Sequence, residues 1–320
     1  MPGLILVSVT KILVSMEESN SLPNAIIAGV NKAGTTSLFK YVGQHPSVGT
    51  SKVKETGHFL PLRNGKQPGS LAKYRALFDH VTDKPIRMEA TPGYFYGGRA
   101  LVENVEATLG DDLRVVVIFR DPVQRLLSFY KSLRQSLRIP QDTTFTEYVR
   151  ACRSLNYTEP QADDDWYLRG VEEGQYAKYV DPWIEKFGSR VCFLFTNHLR
   201  EQPRNVLREV FSFLEVSPSY ASEVNLAREN RSVNYRSRWM QRLAISVNNM
   251  GERFWRAFPE LKRTARSAYY WINGKPFSDE YDTGTIALLE QLYKPYNRAL
   301  RRRLEEHGDY DFPEWLAERD

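Results

Sequence analysis

Short apolar runs alternate with segments of mixed polarity over the first two thirds of the chain. Three runs are rich in β-branched and aromatic residues, which is typical of buried strands: NAIIAGV (24–30), RVVVIFRDP (114–122) and VCFLFTN (191–197). Two weaker runs, SVGTSKVKE (47–55) and KPIRMEATP (84–92), predict further short strands, and the second should end at its final proline.

Helices are predicted between and after these strands, because apolar residues recur there at helical spacing. The predicted helices begin at about Thr35 or cover approximately 122–137, 171–187, 203–214 and 285–307. Residues 138–170 are polar and irregular, and after 203 the pattern predicts helices only, the last of them bent by Pro295. Strands that alternate with helices predict an α/β fold, with a P-loop-like, mostly parallel sheet flanked by helices on both faces and a helical C-terminal part.

The length and the apolar content of the chain allow a substantial core. With 320 residues and 42% hydrophobic content, we predict a single domain over 24–320 and an N-terminal extension over 1–23. The apolar run in that extension is broken by Lys11 and is too short to span a bilayer. It also lacks a basic leader and a small-residue cleavage site, so we interpret it as neither an export signal nor a transmembrane segment.

Charge and cysteine content narrow the classes of ligand and compartment. The formal net charge of +5 suits an anionic ligand, but it does not by itself indicate nucleic acid, and we expect no nucleic-acid partner. Cys152 and Cys192 lie far apart and have no metal-ligand spacing. We therefore expect no metal site and a reducing, cytoplasmic compartment.

The segment GVNKAGTTS (29–37) follows the first strand and resembles a nucleotide phosphate loop, G-x-x-x-x-G-K-[ST]. Gly29 and Gly34 have the right spacing, but the lysine lies upstream of the second glycine, at Lys32. Backbone N–H groups at the start of the next helix, with nearby hydroxyls, can hold a phosphate. The loop residues offered to such a ligand are Lys32, Ala33, Gly34, Thr35, Thr36 and Ser37. The alternative is a plain strand-to-helix turn.

A second candidate anion site lies in FRDPVQRLLSFY (119–130). Arg120 ends a buried strand, where a guanidinium needs an anionic partner, and Ser128 lies about two helical turns after Pro122. Together they suit a second phosphate. The alternative is a structural ion pair between Arg120 and Asp121.

Two further candidates lie in KVKETGHFL (52–60), just past the second strand. A carboxylate at Glu55, next to a phosphate loop, is costly unless it has a task, and the available task is that of a general base. His58 follows it closely. The alternative is that both are surface residues of an ordinary loop.

Along the chain, the motifs at 29–37, 52–60 and 119–130 are joined by EATPGYF (89–95), which lies before the last of them. Their order resembles that of the PAPS-dependent sulfotransferases, where PAPS is 3′-phosphoadenosine 5′-phosphosulfate. The similarity is greatest to the branch that contains the heparan sulfate sulfotransferases and many bacterial carbohydrate and natural-product sulfotransferases. GQYAKYVDPWIEKFG (174–188), LYKPYNRAL (292–300) and DFPEW (311–315) also fit, so the resemblance covers roughly 24–316.

The resemblance implies a role for each candidate residue. The loop would cradle the 5′-phosphosulfate of PAPS with Lys32 at the bridging oxygen, and Arg120 with Ser128 would bind the 3′-phosphate. Glu55 would be the catalytic base, His58 a further catalytic residue beside it, and no metal would be required. The acceptor would be a hydroxyl of a glycan, a glycolipid or a small natural product.

The chain departs from the family pattern in two places. Many relatives have one residue between the glutamate and the histidine, whereas two separate Glu55 from His58 here, and a lysine that some relatives carry is replaced by Ala90. A late basic loop usually completes the nucleotide site. The candidates for that contact are Arg228, Arg231, Arg236 and Arg238.

Two other classes of protein stay open on the sequence alone. A P-loop kinase or NTPase would use ATP and Mg²⁺, with Thr36 and Asp121 as metal ligands. A non-catalytic module would bind the nucleotide without any transfer. The misplaced lysine disfavours the first, and Glu55 beside the loop disfavours the second.

Overall fold

The structure, a computed structural model, describes residues 21–155, 163–227, 234–250, 259–275 and 281–317. The predicted extension at 1–20 and the candidate arginines Arg228 and Arg231 lie outside the described residues. The described chain forms two compact units. The first contains residues within 1–122, 175–229 and 293–320, and the second contains residues within 123–174 and 230–292. The single-domain assignment stays a prediction, because two compact units can belong to one domain or to two.

The five predicted strands are present and form one parallel sheet in the first unit. They are β1 (Ala25–Gly29), β2 (Val48–Thr50), β3 (Ile86–Ala90), β4 (Arg114–Phe119) and β5 (Val191–Phe195). The strand order is β2-β3-β1-β4-β5, so the chain first extends the sheet on one side of β1 and then on the other. Right-handed crossovers on opposite sides of a central strand put helices on both faces, as predicted.

The α-helices of the described chain range from one turn to seven. They are α1 (Thr35–Val42), α2 (Leu71–Arg75), α3 (Gly98–Leu109), α4 (Pro122–Gln135), α5 (Phe145–Ser154), α6 (Asp181–Phe187), α7 (Thr196–Glu201), α8 (Pro203–Phe213), α9 (Arg238–Met250), α10 (Pro259–Asn273) and α11 (Thr283–His307). Short 3₁₀ helices connect them at Leu60–Asn64, Pro92–Gly97, Asp163–Gly170, Glu172–Gly174, Tyr176–Lys178, Gly188–Arg190 and Pro218–Ser222.

The core of the first unit lies around β1 and β4, which are buried along almost their whole length. Phe95 packs so closely on Gly29 that a β-carbon there would lie 2.5 Å from the Cβ of Phe95. The indole of the fully buried Trp183 donates a hydrogen bond of 3.2 Å to the carbonyl of Phe95. Only a glycine fits at the end of β1, and this contact fixes where the following loop begins.

The second unit contains most of α4 with α5, α9, α10 and the first part of α11. Arg125 and Glu173 form a buried ion pair in it, 3.8 Å apart. The side-chain amide of Gln241 in α9 donates to the carbonyl of Gln135 in α4 at 2.7 Å. These contacts fix α4 and α9 within this unit.

Three local predictions were wrong. The helix expected over 171–187 is interrupted, because Pro182 lacks the N–H that a continuing helix needs and instead opens α6. The stretch 138–170 is not wholly irregular, since Thr144 and Glu147 form a capping box that starts α5. The part after 203 is not purely helical, since β6 (Asn234–Tyr235) pairs antiparallel with β7 (Gly274–Lys275).

Candidate active site

The loop between β1 and α1 lies at the carboxyl end of the central strand, where the strand order reverses. Lys32 and Gly34 both adopt left-handed backbone conformations, with φ of 68° and 96°. No side chain among the described residues caps the N-terminus of α1, and its first turn carries no acidic residue. The first N–H groups of that helix are therefore suited to an anion.

Two neighbouring strands hold this loop in place. The buried hydroxyl of Thr196, just after β5, lies 2.6 Å from the carbonyl oxygen of Ala33 and 2.9 Å from that of Phe119. The guanidinium of Arg120, just after β4, donates to the carbonyl of Lys32 at 3.0 Å. The loop is thus tied to the ends of β4 and β5, and its shape does not depend on a ligand alone.

Lys32 lies in a group of charged side chains that is mainly positive. Burial lowers the pKa of Lys32 below its ordinary value, and the charges of Arg120 and Lys54 lower it further, while Glu55 opposes them. Two further cations and one carboxylate therefore lie close to the ammonium of Lys32. Such an excess of positive charge suits a ligand with at least two negative charges.

Glu55 combines proximity to this cluster with access to solvent. Its side chain is 47% exposed, whereas that of Lys54 is only 14% exposed, and the two are joined by an ion pair of 3.2 Å. A carboxylate that an incoming molecule can reach is suited to accept a proton. Lys54 was missed by the sequence interpretation, although it directly precedes the predicted base.

His58 takes part in aromatic packing. Its ring stacks on Tyr74 with a centroid distance of 4.2 Å and an angle of 4°, and it meets Phe59 edge to face at 4.6 Å. Burial lowers the pKa of His58, so its neutral form dominates at pH 7. Of the two residues that separate it from Glu55, Gly57 has a φ of 69°.

Arg120 and Ser128 lie in different units of the structure. Arg120 follows β4 in the first unit, and the hydroxyl of Tyr176 donates to its carbonyl at 2.8 Å. Ser128 lies in α4 in the second unit and is half-buried. Their joint role in a second phosphate site stays a prediction.

Two of the late arginines are described, and both are exposed in the second unit. Arg236 donates to the carbonyl of Ile272 at 3.3 Å. Arg238 begins α9. Which late arginine contacts a nucleotide therefore stays a prediction.

Two buried residues near the loops were not predicted. Thr196 follows directly on the apolar run VCFLF, and a polar residue at the end of a buried strand was an available signal. Glu89, at the end of β3, is completely buried and hydrogen-bonded to hydroxyl groups. Its position inside a predicted strand gave no indication of those partners.

Within the described part of the chain, no three His, Cys, Asp or Glu side chains form a group that could hold a metal ion. Among the same residues, no helix has the length and apolar character needed to cross a bilayer.

A parallel sheet whose central strand leads into a loop suited to an anion defines a P-loop-like α/β protein. Residues 22–260 match the sequence profile of the sulfotransferase domain, which is about three quarters of the chain. The chain therefore belongs to the sulfotransferase family, and the resemblance found in its motifs is confirmed.

Similar proteins come from animals and bacteria. The chain is 32% identical over 200 residues to mouse heparan sulfate glucosamine 3-O-sulfotransferase 3A1, covering 62% of this chain and 47% of the relative. It is 22% identical over 325 residues to the bifunctional heparan sulfate N-deacetylase/N-sulfotransferase of Drosophila melanogaster, covering 96% of this chain and 28% of the relative. The chain thus spans about half the length of the first of these relatives, and less of the second.

A solved sulfotransferase from Alicyclobacillus acidocaldarius has a similar fold. It aligns with a TM-score of 0.56 and 25% identity, over 65% of this chain and 86% of the bacterial one. This similarity agrees with the predicted fold class.

Proposed function

We propose that this protein transfers a sulfuryl group from PAPS to a hydroxyl group of a carbohydrate. The observation that carries the proposal is the convergence of Lys32, Arg120 and an exposed Glu55 on one left-handed loop at the end of β1. Membership of the sulfotransferase family supports the same reaction. It also disfavours the alternative of a kinase or NTPase that uses ATP and Mg²⁺.

The donor loop fits a phosphosulfate. PAPS, when bound, supplies a sulfuryl group on a phosphate that leaves with additional negative charge. The N–H groups at the start of α1 and the hydroxyls of Thr35, Thr36 and Ser37 would hold that phosphate, together with the backbone of Ala33 and Gly34. The ammonium of Lys32 would stabilise the developing charge, a role that a fixed cation fills without reorganisation.

Glu55 would accept the proton of the acceptor hydroxyl. Its exposure supports this role, because an acceptor must reach it, and Lys54 would hold the carboxylate through their ion pair. His58 is proposed to act beside it by packing, since the ring stacks on Tyr74 and its pKa is lowered by burial.

Arg120 and Ser128 are proposed to bind the 3′-phosphate of PAPS. A guanidinium recognises a phosphate through two parallel hydrogen bonds, and a hydroxyl can add a third. One nitrogen of Arg120 already donates to the carbonyl of Lys32, so the same side chain would link the two phosphate sites. A late arginine, of which Arg236 and Arg238 are described, would complete the nucleotide site.

The proposed acceptor is a hydroxyl group of a glycan. A hydroxyl group of a glycolipid or of a small natural product would serve the same chemistry. The support is that several relatives are named as heparan sulfate glucosamine 3-O-sulfotransferases. We propose no metal and no nucleic-acid partner, and cytoplasmic localisation is kept as a prediction.

An acceptor screen tests the reaction class. The purified protein is incubated with PAPS and a panel of oligosaccharides, phenols and small alcohols, with and without EDTA, and products are identified by mass spectrometry. We expect one sulfonate to be added to an oligosaccharide hydroxyl at a rate that EDTA does not change. Mg²⁺-dependent transfer from ATP would instead support the kinase, and tight binding of the desulfonated nucleotide without any transfer would support the binding module.

A further inference from the structure

Glu89 is a completely buried carboxylate at the carboxyl end of β3. A buried carboxylate is costly unless hydrogen bonds compensate it. Its Oε1 accepts from the hydroxyl of Tyr74 at 2.5 Å, and its Oε2 accepts from Thr91 Oγ1 at 2.9 Å and from the hydroxyl of Thr56. Three hydroxyl groups from three separate segments thus meet at one side chain that no acceptor can reach.

The same group of hydroxyls binds the backbone of the loop that carries Glu55. Three consecutive N–H groups each donate to a hydroxyl oxygen: Gly57 to Thr91 at 3.3 Å, His58 to Thr56 at 3.5 Å, and Phe59 to Tyr94 at 3.3 Å. The hydroxyls of Tyr94 and Thr56 are themselves 3.1 Å apart. This loop segment forms no strand, so the hydroxyls take the place of a sheet partner.

One arrangement of protons satisfies all these contacts. A hydroxyl carries a single proton, and an ionised carboxylate only accepts. Thr56, Thr91 and Tyr74 direct their protons to Glu89, and Tyr94 directs its proton to Thr56. The oxygens of Thr56, Thr91 and Tyr94 are then left to accept from the backbone. Glu89 therefore determines which way these hydroxyls point.

Glu55 depends on this arrangement because Thr56 follows it directly in the chain. The exposed side chain of Glu55 pairs with Lys54, its other neighbour in sequence. The positions of Thr56 and Lys54 relative to Glu55 are therefore set by the local backbone. The ring of His58 rests on Tyr74, which also donates to Glu89. The two-residue spacing between Glu55 and His58 thus places one hydroxyl and one left-handed glycine where the network needs them.

We propose that Glu89 is a positioning residue that fixes the backbone of residues 55–59, and through Thr56 the carboxylate of Glu55. This rests on the proposed function only for the role of Glu55 as the base. The anchoring of the loop itself stands apart from the reaction.

Thr56→Val and Thr56→Ser separate the hydroxyl from the shape of the side chain. Valine keeps the volume and loses the hydrogen bonds, whereas serine keeps them. With PAPS as donor, Thr56→Val should lower kcat about 10- to 100-fold, which is the scale of a misplacement near 1 Å. The Kd for PAP, the desulfonated nucleotide, should stay within about twofold of the wild-type value. Thr56→Ser should restore most of the rate. Thr146→Val, which removes a hydroxyl bonded to Thr285 in the second unit, is the matched control.

Introducing Thr56→Val into the Glu55→Gln variant shows whether the loss of kcat acts through the base. If Thr56 works by placing Glu55, then Thr56→Val should have little further effect once Glu55 is replaced. The same fold loss in both backgrounds would overturn the proposal. If wild type transfers sulfonate and Glu55→Gln slows it while Thr56→Val does not, the proposed function stands and this inference fails.

Amide hydrogen exchange tests the anchoring without any activity. Exchange of a peptide covering 55–60 should accelerate at least about tenfold in Glu89→Gln and in Thr56→Val, and stay unchanged in Thr146→Val. Unchanged protection in Thr56→Val would refute the role of the network, even if Glu89→Gln did not fold.

Discussion

Replacing Lys32 separately by glycine and by alanine tests both the strain and the chemistry of the donor loop. Its φ of 68° costs an L-residue about 1–2 kcal/mol, and glycine avoids that cost. Glycine also loses about 0.5–1 kcal/mol through its greater freedom in the unfolded chain. The difference predicts that Lys32→Gly is more stable than Lys32→Ala by roughly 0.5–1 kcal/mol.

The catalytic consequence should be the same for both variants, because each loses the ammonium group. Loss of one group that stabilises a developing oxyanion costs about 2.7–4 kcal/mol, or 10²–10³ in kcat. Lys32→Gly should therefore be the more stable of the two enzymes and still be almost inactive. This outcome would show that the strain is tolerated for the sake of the position of the ammonium.

Urea unfolding and single-turnover transfer from PAPS measure the two effects. Lys40 provides a control of opposite sign, since it is exposed in α1, where glycine should be less stable than alanine by about 1 kcal/mol. If glycine is also the less stable choice at 32, the strain argument is wrong. If either variant keeps the wild-type kcat, Lys32 is not the group that stabilises the leaving phosphate.

Three further predictions concern the same site. Glu55→Gln should lower kcat about 10²–10⁴-fold, and the loss should be smaller for acidic acceptors such as a nitrophenol. Its affinity for PAP should stay within a few fold of wild type, and Glu103→Gln is the control. Loss of PAP binding in Glu55→Gln would instead make Glu55 a structural residue. Arg120→Ala should weaken both the affinity for PAPS and the preference for the 3′-phosphorylated nucleotide, and Ser128→Ala should have a smaller effect on both. An unchanged preference in competition binding would place the 3′-phosphate site elsewhere. The pKa of Lys32 is lowered in the free protein, so the contribution of this residue to folding stability is present at high pH and is lost as pH falls through the lowered pKa. A bound anion should favour the charged ammonium of Lys32, so binding should be accompanied by uptake of a proton. Calorimetry in buffers of different ionisation enthalpy should detect proton uptake at alkaline pH, which Lys32→Arg should abolish; equal uptake in that variant would assign the proton to another group.

The strands and the donor loop were predictable because their signals are local. A β-branched run that ends in glycine and opens a helix reads directly from the sequence, and β1 and α1 lie where that pattern predicts. Lys32 and Arg120 meet because the carboxyl ends of neighbouring parallel strands share one edge of the sheet.

The contacts that fix the site are the part that the sequence did not reveal. Glu89 lies in a predicted strand beside Thr91, and only the folded chain brings the hydroxyls of Thr56 and Tyr74 to it from two other segments. The interrupted helix over 171–187 shows the opposite kind of error, because apolar periodicity outweighed the proline that starts α6. Periodicity reports which face is buried, but it does not report which polar groups meet there.

The bond from Thr196 to the carbonyl of Ala33 joins residues far apart in the sequence. During synthesis, the whole donor loop leaves the ribosome long before β5 and Thr196 are made. A nascent chain that stops short of β5 contains Lys32 and both loop glycines, but it lacks the hydroxyl that holds the loop to the sheet. We therefore expect the loop to reach its final geometry only when the last strand of the sheet docks, which would make donor binding a property of the completed sheet.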